Sequence, residues 1–203
     1  MVAIVLDRPG APTVPPLANG DNLTRDEFER RWALHPEIKH AERIDGIVYI
    51  ELSVGREHGI AHSLVNGWLF TYASTRPGLE LADNTTVRLG DNDLQPDLYL
   101  RRREPRDRHS PELVFEVAAT SASSDLHQKF DVYERHGVAE YVVWRVFDAQ
   151  LDWFGLRDGR YERREADADG VIESELFPGL RLHVASLLAG DVPALLAALR
   201  PPG

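Results

Sequence analysis

The chain has 203 residues, 43% hydrophobic and 28% charged, which suffices for one domain with a substantial core and leaves little for a second. Its formal charge of −10 opposes general attraction to polyanions, so any nucleic-acid contact has to be local, and the absence of Cys excludes disulfides, thiolate nucleophiles and cysteine-built zinc sites. No stretch approaches the roughly 20 apolar residues of a membrane span, and residues 1–22, rich in Pro, Gly and Asn, read as a flexible tail ahead of a single domain over 23–199, with a cytoplasmic location as the default.

Thr24 followed by Glu27 has capping-box spacing and predicts a helix that turns Phe28 and Trp32 inward and stops before Pro36. The next segment, ERIDGIVYIELS, reads as a hairpin turning at Asp45-Gly46, with Glu42 just ahead of the turn. Ile60, Leu64, Trp68 and Tyr72 fall at helical spacing and predict the main early helix, ended by RPG. Three strands follow, LELADNTTVRL, LQPDLYL and ELVFEVAA, and an antiparallel pairing of 94–100 with 112–119 is the natural arrangement. A helix from about Ser124 to His136, stopped by Gly137, leads into EYVVWRVF, a largely apolar strand of the kind covered on both faces. The rest is a meander with Asp158-Gly159 and Asp169-Gly170 turns, closed by short helices at 185–189 and 192–199.

One carboxylate interrupts the apolar strand ELVFEVAA. Alternation puts Glu116 on one face with Val114 and Ala118, while Asp97 shares a face with Gln95 and Tyr99 on the proposed partner strand. Burying an ionised carboxylate costs several kcal/mol unless it is paired or holds a metal, so two facing acids require a cation. The chain has only two lysines, Lys39 and Lys129, against 21 arginines. Asp125, Lys129 and Tyr133 lie one above another at i, i+4 spacing on the following helix, which as a crossover packs back over its sheet and brings an ammonium above Glu116. Carboxylates holding Mg2+ or Mn2+ beside one lysine suit hydrolysis of a phosphodiester, and Glu42 is the further acid available to complete an oxygen ligand set.

These segments carry a resemblance. QPDLYL and ELVFEVAATSASSDLHQKFDVYERHGVAEYVVW, with the earlier ERIDGIVYIELSVGREHGIAH and the later FPGLRLHVASLLAG, resemble the Uma family of restriction endonucleases, within the PD-(D/E)XK nuclease superfamily, over roughly Leu23 to Leu188. The resemblance implies an α/β fold with a mixed central sheet flanked by helices, and a divalent-metal site that cleaves phosphodiesters; the expected substrate is DNA and the expected assembly a homodimer. It places Asp97 as the aspartate of PD and Glu116 as the acid of the second half-motif. The lysine usual two positions later is replaced by Ala118, and the family's displaced lysine corresponds to Lys129. Glu42 matches an early glutamate before the hairpin, and His58 a histidine at the start of the long helix.

Arg101, Arg102 and Arg103 open the most basic stretch, RRREPRDRHS, which reads equally as a grip on phosphates or as a solvated connector. Trp144 and Trp153 read as packing residues rather than base-stacking platforms. His58 and His62 have zinc-clamp spacing, but HGIAH lacks the glutamate of a zinc protease, and EADADG reads as a turn. Two other classes remain open: a catalytically silent interaction or regulatory module on the same fold, and a carboxylate-pair glycosidase without metal.

Overall fold

The computed structural model describes residues 14–50, 55–104, 110–119 and 128–199. Helix α1 (Arg25–Leu34) begins at Thr24, whose side chain accepts the Glu27 N–H at 3.4 Å. Strands β1 (Ala41–Ile44) and β2 (Ile47–Ile50) form the expected hairpin, with Asp45 at φ +49° and Gly46 at φ +85°, the left-handed pair that a two-residue turn requires. Of the expected N-terminal tail, residues 1–13 lie outside the described residues. The rest docks on the hairpin: Leu17 is buried, and Gly20 and Asp21 exchange backbone hydrogen bonds with Val48 at 2.9 and 2.8 Å.

Helix α2 (Arg56–Ser74) buries Ala61, Val65, Trp68, Leu69 and Tyr72. That stripe differs from the expected one, and Ile60 is 52% exposed. Leu64, Trp68 and Tyr72 of the expected stripe do pack on the core, so the difference lies at Ile60, whose place is taken by Ala61.

The segment expected as one strand, LELADNTTVRL, is two. It breaks at Asn84, at φ +43°, between β3 (Leu79–Asp83) and β4 (Val87–Leu89), which belong to different sheets. Strand β4 and β5 (Asn92–Leu94) complete a small sheet of order β2-β1-β5-β4. The expected strand over 94–100 also divides, because Gln95-Pro96-Asp97 carries the chain from the small sheet into β6 (Leu98–Arg102). β6 pairs antiparallel with β7 (Leu113–Ala118), Leu98 opposite Phe115, as the sequence suggested. Helix α3 (Phe130–Arg135) connects β7 to the parallel strand β8 (Glu140–Arg145), and Gly137 between them takes φ +74°. The start expected for this helix, residues 124–127, lies outside the described residues. With β9 (Gln150–Arg157) and β10 (Arg160–Arg163), the large mixed sheet has order β10-β9-β8-β7-β6-β3. A small pair, β11 (Val171–Glu173) and β12 (Arg181–His183), precedes α4 (Val184–Ala189) and α5 (Val192–Ala197). Among the described residues, no helix is long and apolar enough to cross a membrane.

The large sheet separates two cores. One face packs α2 and the C-terminal helices against Leu113, Phe115, Val117, Trp144 and Trp153, so both tryptophans are packing residues. The other carries Val114, Ala118, Tyr141 and Val143 under α3 and the small sheet. Every residue of β7 is buried, and each fully buried Val, Leu or Phe contributes roughly 1.5–3 kcal/mol. A one-residue slip of β7 would drive Glu116 into the core beneath α2, so packing fixes the register that aims this carboxylate at the small sheet.

Candidate active site

Asp97 directly precedes β6 and Glu116 is the fourth residue of β7, so the hairpin sets them side by side. Each takes a backbone donor from the other's strand: the Asp97 N–H reaches Glu116 Oε2 at 3.3 Å, and the Val117 N–H reaches Asp97 Oδ2 at 2.7 Å. Glu42 arrives from β1. Its neighbour Arg43, fully buried, points the other way and binds Asp93 Oδ2 at 2.9 Å and Asp91 Oδ1 at 2.7 Å. That pairing fastens β1 beside β5 and leaves Glu42 facing the large sheet, where its Oε1 accepts the Gln95 N–H at 2.6 Å.

Lys129, at the N-terminal edge of α3, joins the acids. Its Nζ lies 3.0 Å from Glu42 Oε1 and 3.3 Å from Glu116 Oε1. One turn further along, the Tyr133 hydroxyl donates to the same Glu116 oxygen at 3.0 Å. From α2, His58 Nε2 sits 3.1 Å from Asp97 Oδ1, and His62 Nε2 is 3.2 Å from the Asp97 carbonyl oxygen. The two imidazoles stack with centroids 6.0 Å apart.

Glu42, Asp97, Glu116 and Lys129 are each at most 9% exposed, so the charges interact with little screening by water. Burial pushes the Asp97 carboxyl upward, but the hydrogen bond and charge of His58, the Val117 N–H and the charge of Lys129 outweigh it and hold the group below its ordinary value. Burial, reinforced by the charges of Glu116 and Glu42, raises the Tyr133 phenol well above its usual range, so it stays a donor.

The structure therefore brings Glu42, Asp97, Glu116, Lys129 and His58 into one cluster. Arg101, Arg102 and Arg103 are not in it. They sit at the opposite end of β6, Arg101 being four residues along the strand from Asp97, about 13 Å at strand rise. Arg101 Nε binds Glu80 at 2.8 Å, Arg102 binds Glu112 at 2.7 Å, and the Arg103 N–H binds the Gly78 carbonyl at 2.8 Å. Arg106 and Arg108 lie outside the described residues. Gln95 and Tyr133 are members the sequence had not assigned to the site. Tyr133 was signalled by its i, i+4 spacing from Lys129, whereas the Gln95 contact is made by backbone and has no side-chain signature.

The donor set fits a hard divalent cation in kind: three buried carboxylates from three strands or strand ends. Its arrangement, however, is closed around an ammonium. Among the described residues, no group of three or more His, Asp or Glu side chains is arranged to hold a metal ion. Glu42 and Glu116 instead turn an oxygen each toward Lys129.

A family model named Uma2, described as "Putative restriction endonuclease", matches residues 25–185. Among solved structures, the chain is similar to one described as a "putative nuclease belonging to DUF820" from Anabaena variabilis. The TM-score is 0.66 at 15% identity, covering 82% of this chain and 98% of that one, a likeness of fold. No curated protein matches.

Proposed function

We propose that this chain, which belongs to the Uma2 family, is a divalent-metal-dependent endonuclease that hydrolyses DNA phosphodiester bonds. One observation carries the proposal: a buried ammonium, Lys129, spans Glu42 and Glu116 beside Asp97, at the end of β7, whose other residues are apolar. Such a concentration of buried charge is costly for stability alone and is what a site for a phosphodiester needs.

Glu42, Asp97 and Glu116 would hold Mg2+ or Mn2+, which when bound polarises the phosphoryl oxygens and acidifies a water molecule. The remaining work belongs to the chain. Lys129 Nζ, three hydrogen-bond donors on a flexible stem, orients the attacking water or stabilises charge developing on the phosphate. His58 holds Asp97 Oδ1 and would meet substrate from the α2 side. Burial excludes bulk water from these pairs and strengthens each. A homodimer would present two such sites to two strands, and a cytoplasmic location belongs to the same reading.

The second reading is a catalytically silent module, favoured by the absence of an assembled metal-ligand group among the described residues. Plasmid DNA incubated with purified protein and Mg2+ or Mn2+, beside Asp97→Ala and Lys129→Ala, decides between them. Metal-dependent nicking by the wild type, lost in both variants, is expected. Equal cutting by all three would expose a contaminant, and no cutting by the wild type would favour the silent module.

A further inference from the structure

We propose that Tyr133 is a positioning residue of this site, its phenol fixing the orientation in which the Glu116 carboxylate faces Asp97. The inference rests on the nuclease reading in one respect, that Glu116 serves as a cation ligand. Among the described residues, Tyr133 and Lys129 engage Oε1 of Glu116, at 3.0 and 3.3 Å, and the Asp97 N–H engages Oε2 at 3.3 Å. The two side-chain donors differ in kind. Lys129 divides its ammonium between Glu116 and Glu42 and carries it on a four-carbon stem, whereas Tyr133 is a rigid ring with no exposed surface.

The ring lies 5.0 Å from Tyr141 in the core that contains Val132, Val138 and Val143. A phenylalanine would fill that space, so packing accounts for the ring and leaves the hydroxyl unexplained. A buried hydroxyl is unfavourable in an apolar core unless it is hydrogen-bonded, and its partner here is Glu116. The consequence is a division of labour along one helix. With Tyr133 holding Oε1, Lys129 can leave Glu116 for a phosphate without freeing the carboxylate to rotate. Outer partners of metal-binding carboxylates act in this way, and their loss typically costs about 10–100-fold in metal affinity or activity.

The test measures Mn2+ binding by electron paramagnetic resonance for the full-length wild type, Tyr133→Phe and Val132→Ala, with thermal unfolding and plasmid nicking alongside. Val132→Ala removes packing from the same buried cluster and deletes no polar group that could bond Glu116. Tyr133→Phe is expected to weaken Mn2+ binding about 10–100-fold while unfolding no earlier than Val132→Ala, and Val132→Ala should bind Mn2+ as the wild type does. Wild-type affinity in Tyr133→Phe, or an equal loss in Val132→Ala, overturns the positioning role. If the wild type binds Mn2+, Tyr133→Phe loses it and neither cuts DNA, the nuclease reading fails while the positioning role stands. A wild type that does not bind Mn2+ overturns both.

Discussion

Replacing Lys129 by methionine keeps the unbranched four-atom stem and removes the ammonium that faces Glu42 at 3.0 Å and Glu116 at 3.3 Å. Lys129 is 5% exposed, and its two partners are 5% and 4% exposed, so water cannot take over the lost neutralisation without opening the site. Removing one partner of a buried pair costs about 3–5 kcal/mol, because a charge is left buried without compensation. At roughly 2–4 °C per kcal/mol for a chain of this size, Lys129→Met should lower the melting temperature by about 6–20 °C. Adding Glu42→Gln to Lys129→Met removes one of the stranded charges and should restore part of the loss, whereas Glu42→Gln alone should destabilise. The assay is thermal unfolding of the four proteins at pH 7 in the presence of a chelator, read as a double-mutant cycle. A loss below about 1 kcal/mol, the level of a surface pair, or strictly additive effects would refute the view that these groups form one buried cluster.

His58→Gln tests the acid limb of stability. Asp97 is held below its ordinary value of 3.8, so its folded pKa is depressed. Such a group contributes stability above its unfolded pKa and loses it as pH falls through the folded one. Weakening the His58 contribution should therefore raise the pH of acid unfolding, and an unmoved midpoint would dissociate His58 from Asp97. Arg43→Met strips a fully buried guanidinium from Asp91 and Asp93 and should cost about 3 kcal/mol or more in urea unfolding. A milder effect would mean that Arg25, 2.8 Å from Asp93 Oδ1, suffices to neutralise that acid. Arg101→Ala breaks a partly exposed pair with Glu80 and should cost no more than about 1 kcal/mol. DNA affinity by filter binding should not change, and a clear weakening would return this end of β6 to the substrate surface.

Much of the fold was legible in local chemistry. The Thr24 cap, the Asp45-Gly46 turn, the Gly137 stop and the alternation of β7 each follow from a few adjacent residues, and each appears in the structure as expected. The misreadings share a cause. LELADNTTVRL and LQPDLYL are each apolar enough to pass for one strand, yet each is cut where the chain crosses between sheets, and pattern within a segment carries no information about which sheet receives it. The inner face of α2 was misjudged at Ile60 alone: Ile60 and Ala61 are both acceptable to a core, and the packing of the whole helix buries Ala61.

The site divides along the same line. By itself, the sequence determined that Glu116 would be a charged group on a buried strand, that Asp97 would stand across the hairpin, and that Lys129 was placed to approach from the next helix. These follow from strand alternation, antiparallel pairing and helical spacing, all short-range rules. Tertiary structure alone decided that Glu42 and Glu116 share the Lys129 ammonium, that Tyr133 spends its hydroxyl on the same oxygen, and that Arg101 to Arg103 lie at the far end of the hairpin. Those contacts join residues from 13 to about 90 positions apart, through two sheets whose relative placement depends on the packing of both cores at once.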